Sequence, residues 1–136
     1  MSIGDNAFYN TGITSLDLTG ATGLKSIGGY AFYACTQLTG TVVIPSSVVS
    51  VGDGAFGNSG ITGLDLTGAT GLKSIGGYAF QECTALSGPL TIPPTVVSID
   101  DAAFRNSGIT SLVLTEATGL TSIGNNAFNG CRQLSG

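Results

Sequence analysis

Three cysteines and eight carboxylates are the side chains of this 136-residue chain that could act in catalysis or hold a metal ion. Histidine is absent, which removes the commonest general base and the commonest metal ligand. The cysteines recur at one constant interval, at Cys35, Cys83 and Cys131. The carboxylates are Asp5, Asp17, Asp53, Asp65, Glu82, Asp100, Asp101 and Glu116. Whether any of these groups can act together depends on the elements that position them.

All six phenylalanines also recur at one constant interval, half that of the cysteines, and the residues around them repeat with them. The shared pattern is S-[IV]-[GD]-x-x-A-F, and its copies begin at Ser2, Ser26, Ser50, Ser74, Ser98 and Ser122. A chain that winds one coil per repeat places the same core residues in each coil, so this periodicity predicts a solenoid. We therefore expect residues 1–136 to form a single domain of about six 24-residue coils.

Each coil also carries a short segment in which inward apolar residues alternate with an outward residue. Two unit types take turns: one contains a segment such as Leu64-Asp65-Leu66, and the other a segment such as Val42-Val43-Ile44 followed by proline. A period of two predicts strands, and proline ends them because it cannot extend the hydrogen-bond ladder. We expect these strands to stack as a parallel sheet on one face. The A-F stretch is predicted to form a single 3₁₀ or α turn on the other, with its phenylalanine inward.

This winding separates the cysteines too far for disulfide bonds. Equivalent Cα atoms two coils apart lie roughly 9 to 10 Å from each other, whereas a disulfide requires about 4.4 to 6.8 Å. We therefore expect free thiols. In the intervening coils the same position holds Thr11, Ser59 and Ser107, which favours a small packing residue over a reactive or metal-binding one.

The carboxylates are also poorly placed for joint chemistry. Asp17 and Asp65 share a position two coils apart, with Val43 between them, which suits neither a calcium cage nor a catalytic pair. The doublet Asp100-Asp101 is interpreted as the start of a helical turn or a solvated corner. The glycines near Gly52 open no long helix with a P-loop lysine. The sequence thus predicts no catalytic residues, no cofactor and no metal site, and hence a protein that is not an enzyme.

Charge and hydropathy exclude two further classes of partner. The net charge is −4, and the chain has only four Lys and Arg residues, so it offers no basic patch for nucleic acid. No apolar run approaches the roughly 20 residues of a membrane helix, and the first residues do not have the pattern of a signal peptide. Because the repeat is in register at both ends, a fragment, an engineered array and a self-stacking subunit are all compatible with the sequence.

Two sets of surface residues are candidate binding sites. The first is a strip of small, nearly uncharged side chains expected to face outward along the strands. Its members are Ser15, Asp17, Thr41, Val43, Asp65, Thr91, Ser111 and Val113. The second is an aromatic patch of Tyr30, Tyr33 and Tyr78, which could anchor a partner. The alternative for these rings is partial burial against neighbouring coils.

The string S-I-G-x-x-A-F-x-x-C-x-x-L, with I-P-x-x-V-x-S-[IV]-[GD] between copies, resembles the BspA-like leucine-rich repeats, also known as the Treponema pallidum type. The resemblance covers essentially the whole chain and is clearest from Ser26 to Gly52 and from Ser74 to Asp100. It implies a right-handed leucine-rich-repeat solenoid with strands on one curved face. It also implies an extracellular or cell-surface protein of bacteria or protists that acts in adhesion and protein binding. Half of the units depart from the pattern, with N-[TS]-G and L-T-G-A-T-G in place of the cysteine and the I-P step.

These observations favour a non-catalytic repeat module that binds a protein or a cell-surface ligand. The alternative is a self-assembling structural subunit that stacks head-to-tail through its end coils into a homo-oligomer. A third hypothesis is adsorption to ice or mineral, because Thr19 and Thr22 recur at a fixed interval in later coils. The glycine-rich loops that carry these threonines argue against the flat surface that adsorption needs.

Overall fold

The structure, a computed structural model, describes residues 1–135, and within them it contains ten strands of two or three residues. The strands are β1 (Ser2–Ile3), β2 (Ser26–Ile27), β3 (Thr41–Val43), β4 (Ser50–Val51), β5 (Gly63–Asp65), β6 (Ser74–Ile75), β7 (Pro89–Thr91), β8 (Ser98–Ile99), β9 (Ser111–Val113) and β10 (Ser122–Ile123). Every strand pair is parallel. The chain therefore winds in one direction and returns to the same side in each coil.

The Ser-[IV] step of the repeat forms a continuous six-stranded sheet, in the order β1-β2-β4-β6-β8-β10. Its register pairs Ser26 with Ser50 and Ile27 with Val51, so each residue lies opposite its equivalent in the next repeat. The β-branched residue of each inner step is buried in the core, where Ile27 and Val51 are 1 % exposed, whereas Ile123 in the last coil is 45 % exposed. The solenoid with one coil per repeat is thus confirmed, although the sequence pattern had not marked this segment as a strand.

The strands predicted from alternation form in four coils but do not make one sheet. β3 pairs with β5, and β7 pairs with β9, whereas β5 and β7 are not paired. The interval from the start of β5 at Gly63 to the start of β7 at Pro89 is longer than the interval from Thr41 to Gly63, so the register shifts at this junction. Pro89 also has no N–H to donate to β5. Residues 16–18, the first predicted strand, are not part of any strand.

The A-F stretch is a run of hydrogen-bonded turns rather than the 3₁₀ or α turn that the sequence had indicated. The N–H of Tyr33 donates to the carbonyl of Tyr30 at 3.2 Å, but the N–H of Phe32 donates across to Ala55 in the next coil at 2.7 Å. Tyr30 and Ala34 have φ of 56° and 60°, which a right-handed helix excludes. Residues 1–135 accordingly contain no helix, and so none that could cross a membrane.

The phenylalanines form a column through the centre of the solenoid. Neighbouring rings are stacked with centroids between 5.1 and 5.4 Å apart. The four rings of the inner coils are fully buried, whereas Phe8, with a ring on one side only, is 40 % exposed. This column and the six-stranded sheet hold the coil corners at fixed positions, and the candidate binding residues lie on these coils.

Candidate functional site

The cysteines lie in an internal column, as their spacing predicts. The thiols of Cys35 and Cys83 each donate to a phenylalanine carbonyl of the preceding coil at 3.0 Å. The hydroxyls of Thr11 and Ser59 lie 3.6 Å from these two sulfurs. Cys131 has the same arrangement with Ser107, and all three cysteines are free thiols. Cysteine and threonine or serine side chains therefore alternate along a second column beside the phenylalanine column.

Burial lowers the reactivity of the Cys83 thiol. Its pKa is raised to about 11: desolvation is the largest cause, the charge of Glu82 acts in the same direction, and hydrogen bonds with Ser59 oppose both. A thiol with this pKa stays protonated at neutral pH, and the protonated form is a poor nucleophile and metal ligand. These properties suit a packing residue.

Three of the aspartates bind the backbone of the next coil. The Oδ1 atom of Asp5 accepts the N–H of Gly29 at 2.8 Å, and Asp53 accepts the N–H of Gly77 at 2.9 Å. Asp101 accepts the N–H of Asn125 at 2.8 Å in the same way. All three aspartates are exposed and lie at the corner that follows the six-stranded sheet. Their structural role was not visible in the sequence because each partner lies 24 residues away.

Asp17 and Asp65 are tied to their own loops instead of to each other. In each case Oδ1 accepts the N–H and the hydroxyl of the threonine two residues later, at 2.9 and 2.6 Å. The threonine hydroxyl, followed by the threonine N–H, holds the pKa of each carboxyl below its ordinary value, with burial acting weakly in the opposite direction. In the part of the chain that the structure describes, no group of three or more Cys, Asp or Glu side chains could hold a metal ion.

The outward strip predicted from alternation, here called the strand face, is divided by the break between β5 and β7. Val43 lies opposite Asp65 in the β3–β5 pair, next to Thr41. Thr91 lies opposite Val113 in the β7–β9 pair. Ser111 adjoins this second pair opposite Pro89. Ser15 and Asp17 are exposed in the first coil but lie outside any strand. The strand face thus consists of two paired segments and an unpaired one.

The tyrosines form a cluster that differs from the predicted patch. Tyr30 and Tyr33 meet edge to face with centroids 5.4 Å apart, and Tyr33 stacks on Tyr9 at 5.5 Å. Tyr78 occupies the position of Tyr30 two coils further along, so it does not join this cluster. Tyr9 was not included in the predicted patch, although its position in the first repeat is equivalent to that of Tyr33 in the next.

Glycines in the next coil make room for two of these rings. A Cβ atom at Gly54 would lie 2.5 Å from Cε1 of Tyr30, and one at Gly57 would lie 2.8 Å from Cδ2 of Tyr33. Tyr33 is half-buried as a result, but Tyr30 and Tyr78 remain 40 % and 45 % exposed. Burial against neighbouring coils therefore accounts for only part of the surface of these rings.

Comparisons with known proteins agree with this architecture. The family model for the BspA type leucine rich repeat region matches residues 1–135 in six copies. A leucine rich cell surface protein from Faecalibacterium prausnitzii is similar in structure, with a TM-score of 0.57 and 25% identity over 98% of this chain and 41% of that one. A leucine-rich repeat protein from Bacteroides ovatus has a TM-score of 0.54 and 26% identity over 98% of this chain and 39% of that one. This chain spans about two fifths of the length of both structures. No curated protein is similar enough to count as a relative.

Proposed function

Because this chain belongs to the BspA-type leucine-rich repeat family, we propose that it is a non-catalytic module that binds a protein or another cell-surface ligand through the strand face. Its similarity to a protein described as a leucine rich cell surface protein supports a location at the cell surface. The module presents a fixed surface to its partner and performs no reaction on it.

The observation that carries this proposal is the exposure of short side chains on a rigid support. Val43 is 38 % exposed, while the residues before and after it, Val42 and Ile44, are 2 % and 1 % exposed. The same arrangement places Thr91 between the buried Leu90 and Ile92. A partner that meets short side chains on an ordered backbone immobilises few rotamers, which lowers the entropic cost of binding.

The absence of a catalytic role is supported by the state of the reactive side chains. The thiol of Cys83 is enclosed and has a raised pKa. The carboxylates of Asp5, Asp53 and Asp101 accept hydrogen bonds from the backbone of the next coil. These groups contribute to packing and to the stacking of coils. None of them is a general base paired with a nucleophile.

A double variant tests whether the strand face binds. Val43→Lys combined with Val113→Lys adds two long cationic side chains to the face, and the residues opposite them are Asp65 and Thr91, so no like charges are placed together. The measurement is surface plasmon resonance of the 1–136 chain against a panel of purified extracellular-matrix and cell-surface glycoproteins. We expect saturable binding to at least one of them, weakened at least about tenfold in the double variant because the bulky lysines block close approach.

The matched control is Thr22→Lys combined with Thr70→Lys, which adds the same charge at exposed positions in the return loops. This control is expected to bind as the unmodified chain does. Equal weakening in both double variants would mean that net charge, and not the strand face, determines binding. A panel without any saturable binder would also contradict the proposal.

A further inference from the structure

Tyr30 and Tyr78 are large exposed rings at a position where neither the core nor the backbone requires one. Both lie at the corner that follows the six-stranded sheet, two coils apart. Both have a positive φ, 56° and 61°, a conformation that is costly for a residue with a side chain. The coils that follow them have Gly54 and Ala102 at this position, so a small residue satisfies the fold.

Each of these tyrosines lies between the aspartates of the coils before and after it. The carboxylate of Asp5, in the coil before Tyr30, accepts the N–H of the neighbouring Gly29, while the N–H of Tyr30 donates to the backbone carbonyl of Asp53 in the coil after it at 2.8 Å. Tyr78 is placed in the same way between Asp53 and Asp101, with its N–H 2.9 Å from the carbonyl of Asp101. Asp53 is therefore shared by both tyrosines. Each backbone N–H occupies one oxygen of an aspartate, which leaves the other for a partner.

A groove of about 430 Å³ opens beside Tyr78. Asp53, Asp100, Asp101 and Ser122 line it together with the tyrosine, and within the described residues its charged lining is entirely acidic. This volume accommodates the end of a long cationic side chain, and an aromatic ring beside carboxylates attracts such a group in two ways. The ring face binds a cation through its quadrupole, and the carboxylates form charge-assisted hydrogen bonds with it.

We propose that this surface, defined by Asp5, Tyr30, Asp53, Tyr78 and Asp101 and here called the Tyr–Asp corner, binds an extended basic segment of a protein partner. One cationic side chain of the segment lies against each tyrosine. Arginine fits best because its planar guanidinium stacks on a ring and pairs with a carboxylate in a bidentate way. The net charge of −4 supports association with a basic partner.

The spacing of the two tyrosines specifies the segment further. Positions two coils apart are separated by roughly 9 to 10 Å along the solenoid axis. Three residues of a segment in the extended polyproline II conformation rise about 9 Å and complete one turn, so the side chains at i and i+3 lie on the same side. Basic residues at i and i+3 of an extended segment therefore match the two tyrosines. This proposal concerns a second surface, and it does not depend on binding by the strand face.

The test uses the 1–136 chain and two synthetic peptides of Gly, Ser and two Arg residues, with identical composition. One peptide has its arginines at i and i+3, and the other at i and i+1. Isothermal titration and NMR at low salt are expected to show saturable binding of the first peptide, at least threefold tighter than the second, with shifts at the Tyr30 and Tyr78 rings. Tyr30→Ala combined with Tyr78→Ala is expected to weaken binding at least tenfold, and the fold accepts alanine here because Ala102 occupies the same position.

Charge-removing amide variants separate the site from general charge attraction. Asp53→Asn removes the carboxylate of the aspartate that lies between the two tyrosines but keeps an oxygen that can accept the N–H of Gly77, and it is expected to weaken binding at least fivefold. Glu116→Gln removes the same charge at an exposed position outside both the corner and the strand face, and it is expected to leave binding within twofold. Equal effects of the Asp53 and Glu116 variants, equal affinities of the two peptides, or no saturable binding would each overturn the proposal. The strand-face variants play no part in this test, so either proposal can fail alone.

Discussion

Replacing Phe56 with alanine is expected to lower the free energy of unfolding by about 3 to 5 kcal/mol. The Phe56 ring is fully buried and lies between Phe32 and Phe80, with centroids 5.1 and 5.4 Å away. The cavity left by the substitution cannot close easily, because hydrogen bonds between coils hold the surrounding backbone at a fixed separation. Urea denaturation followed by circular dichroism measures the change.

Phe8→Ala is the matched control, since it removes the same side chain from a position that is 40 % exposed and has a ring on one side only. The loss is expected to be less than half of that for Phe56→Ala, because less apolar surface leaves the core. Stability in a solenoid depends on contacts between neighbouring coils. A ring in an inner coil therefore stabilises the fold through contacts with two neighbouring rings, and Phe8 through contacts with one. Equal losses in the two variants would contradict a stacked column.

Gly76→Ala is expected to lower the free energy of unfolding by about 1 to 3 kcal/mol through overpacking. A Cβ atom at Gly76 would lie 2.7 Å from the backbone N of Asp53 and 2.7 Å from the backbone C of Gly52. These atoms belong to the previous coil and move only if the hydrogen bonds between coils lengthen. The same denaturation experiment measures the effect.

Two other positions indicate how large the loss of stability in Gly76→Ala should be. Asp100 occupies the equivalent position in the next coil, and its N–H lies 3.0 Å from the carbonyl of Ile75, compared with 2.8 Å for the corresponding bond of Gly76. The coils therefore admit a Cβ atom by separating slightly, which limits the loss. Gly68→Ala is the control, because nothing lies within 4 Å of its Cβ position; a change of less than about 0.5 kcal/mol is expected there. If alanine were tolerated equally at both positions, the close stacking of coils would be wrong.

The sequence predicted the core well because a bulky side chain at a constant interval has one structural explanation. It did not predict the six-stranded sheet, although the Ser-[IV] step repeats six times, because two residues are too few to show a period of two. The bonds that define this sheet join equivalent residues of successive repeats, and no local pattern records them. The same reason hid the contacts of Asp5 and Asp53 with the next coil.

The strand face shows a second limit of sequence patterns. Alternation identified the outward residues of β3, β5, β7 and β9, but pairing depends on the distance between successive strands. That distance is shorter within the β3–β5 and β7–β9 pairs than between β5 and β7, and only the shorter interval gives a paired register. The sequence shows that the strand begins earlier in one unit type than in the other. The effect of this difference on strand pairing is visible only in the path of the backbone.

The turns show a third limit, which is conformational. Tyr30, Ala34, Tyr78 and Glu82 all have a positive φ, and none of these residue types signals it as glycine or asparagine does. The A-F stretch was interpreted as a single helical turn because it is too short for a stable helix. The bonds to the neighbouring coil, and not local preference, determine the conformation of these residues.

Amide hydrogen exchange measured by NMR tests most directly whether each coil is bonded to the equivalent part of the next one. The N–H groups of Phe32, Phe56 and Phe80 donate to alanine carbonyls in the following coil, each at 2.7 Å. We expect these amides to be among the slowest to exchange, and those of Gly20 and Gly68 in the exposed loops to be among the fastest. Exchange at Phe56 as fast as at Gly68 would show that the coils are not joined in this way.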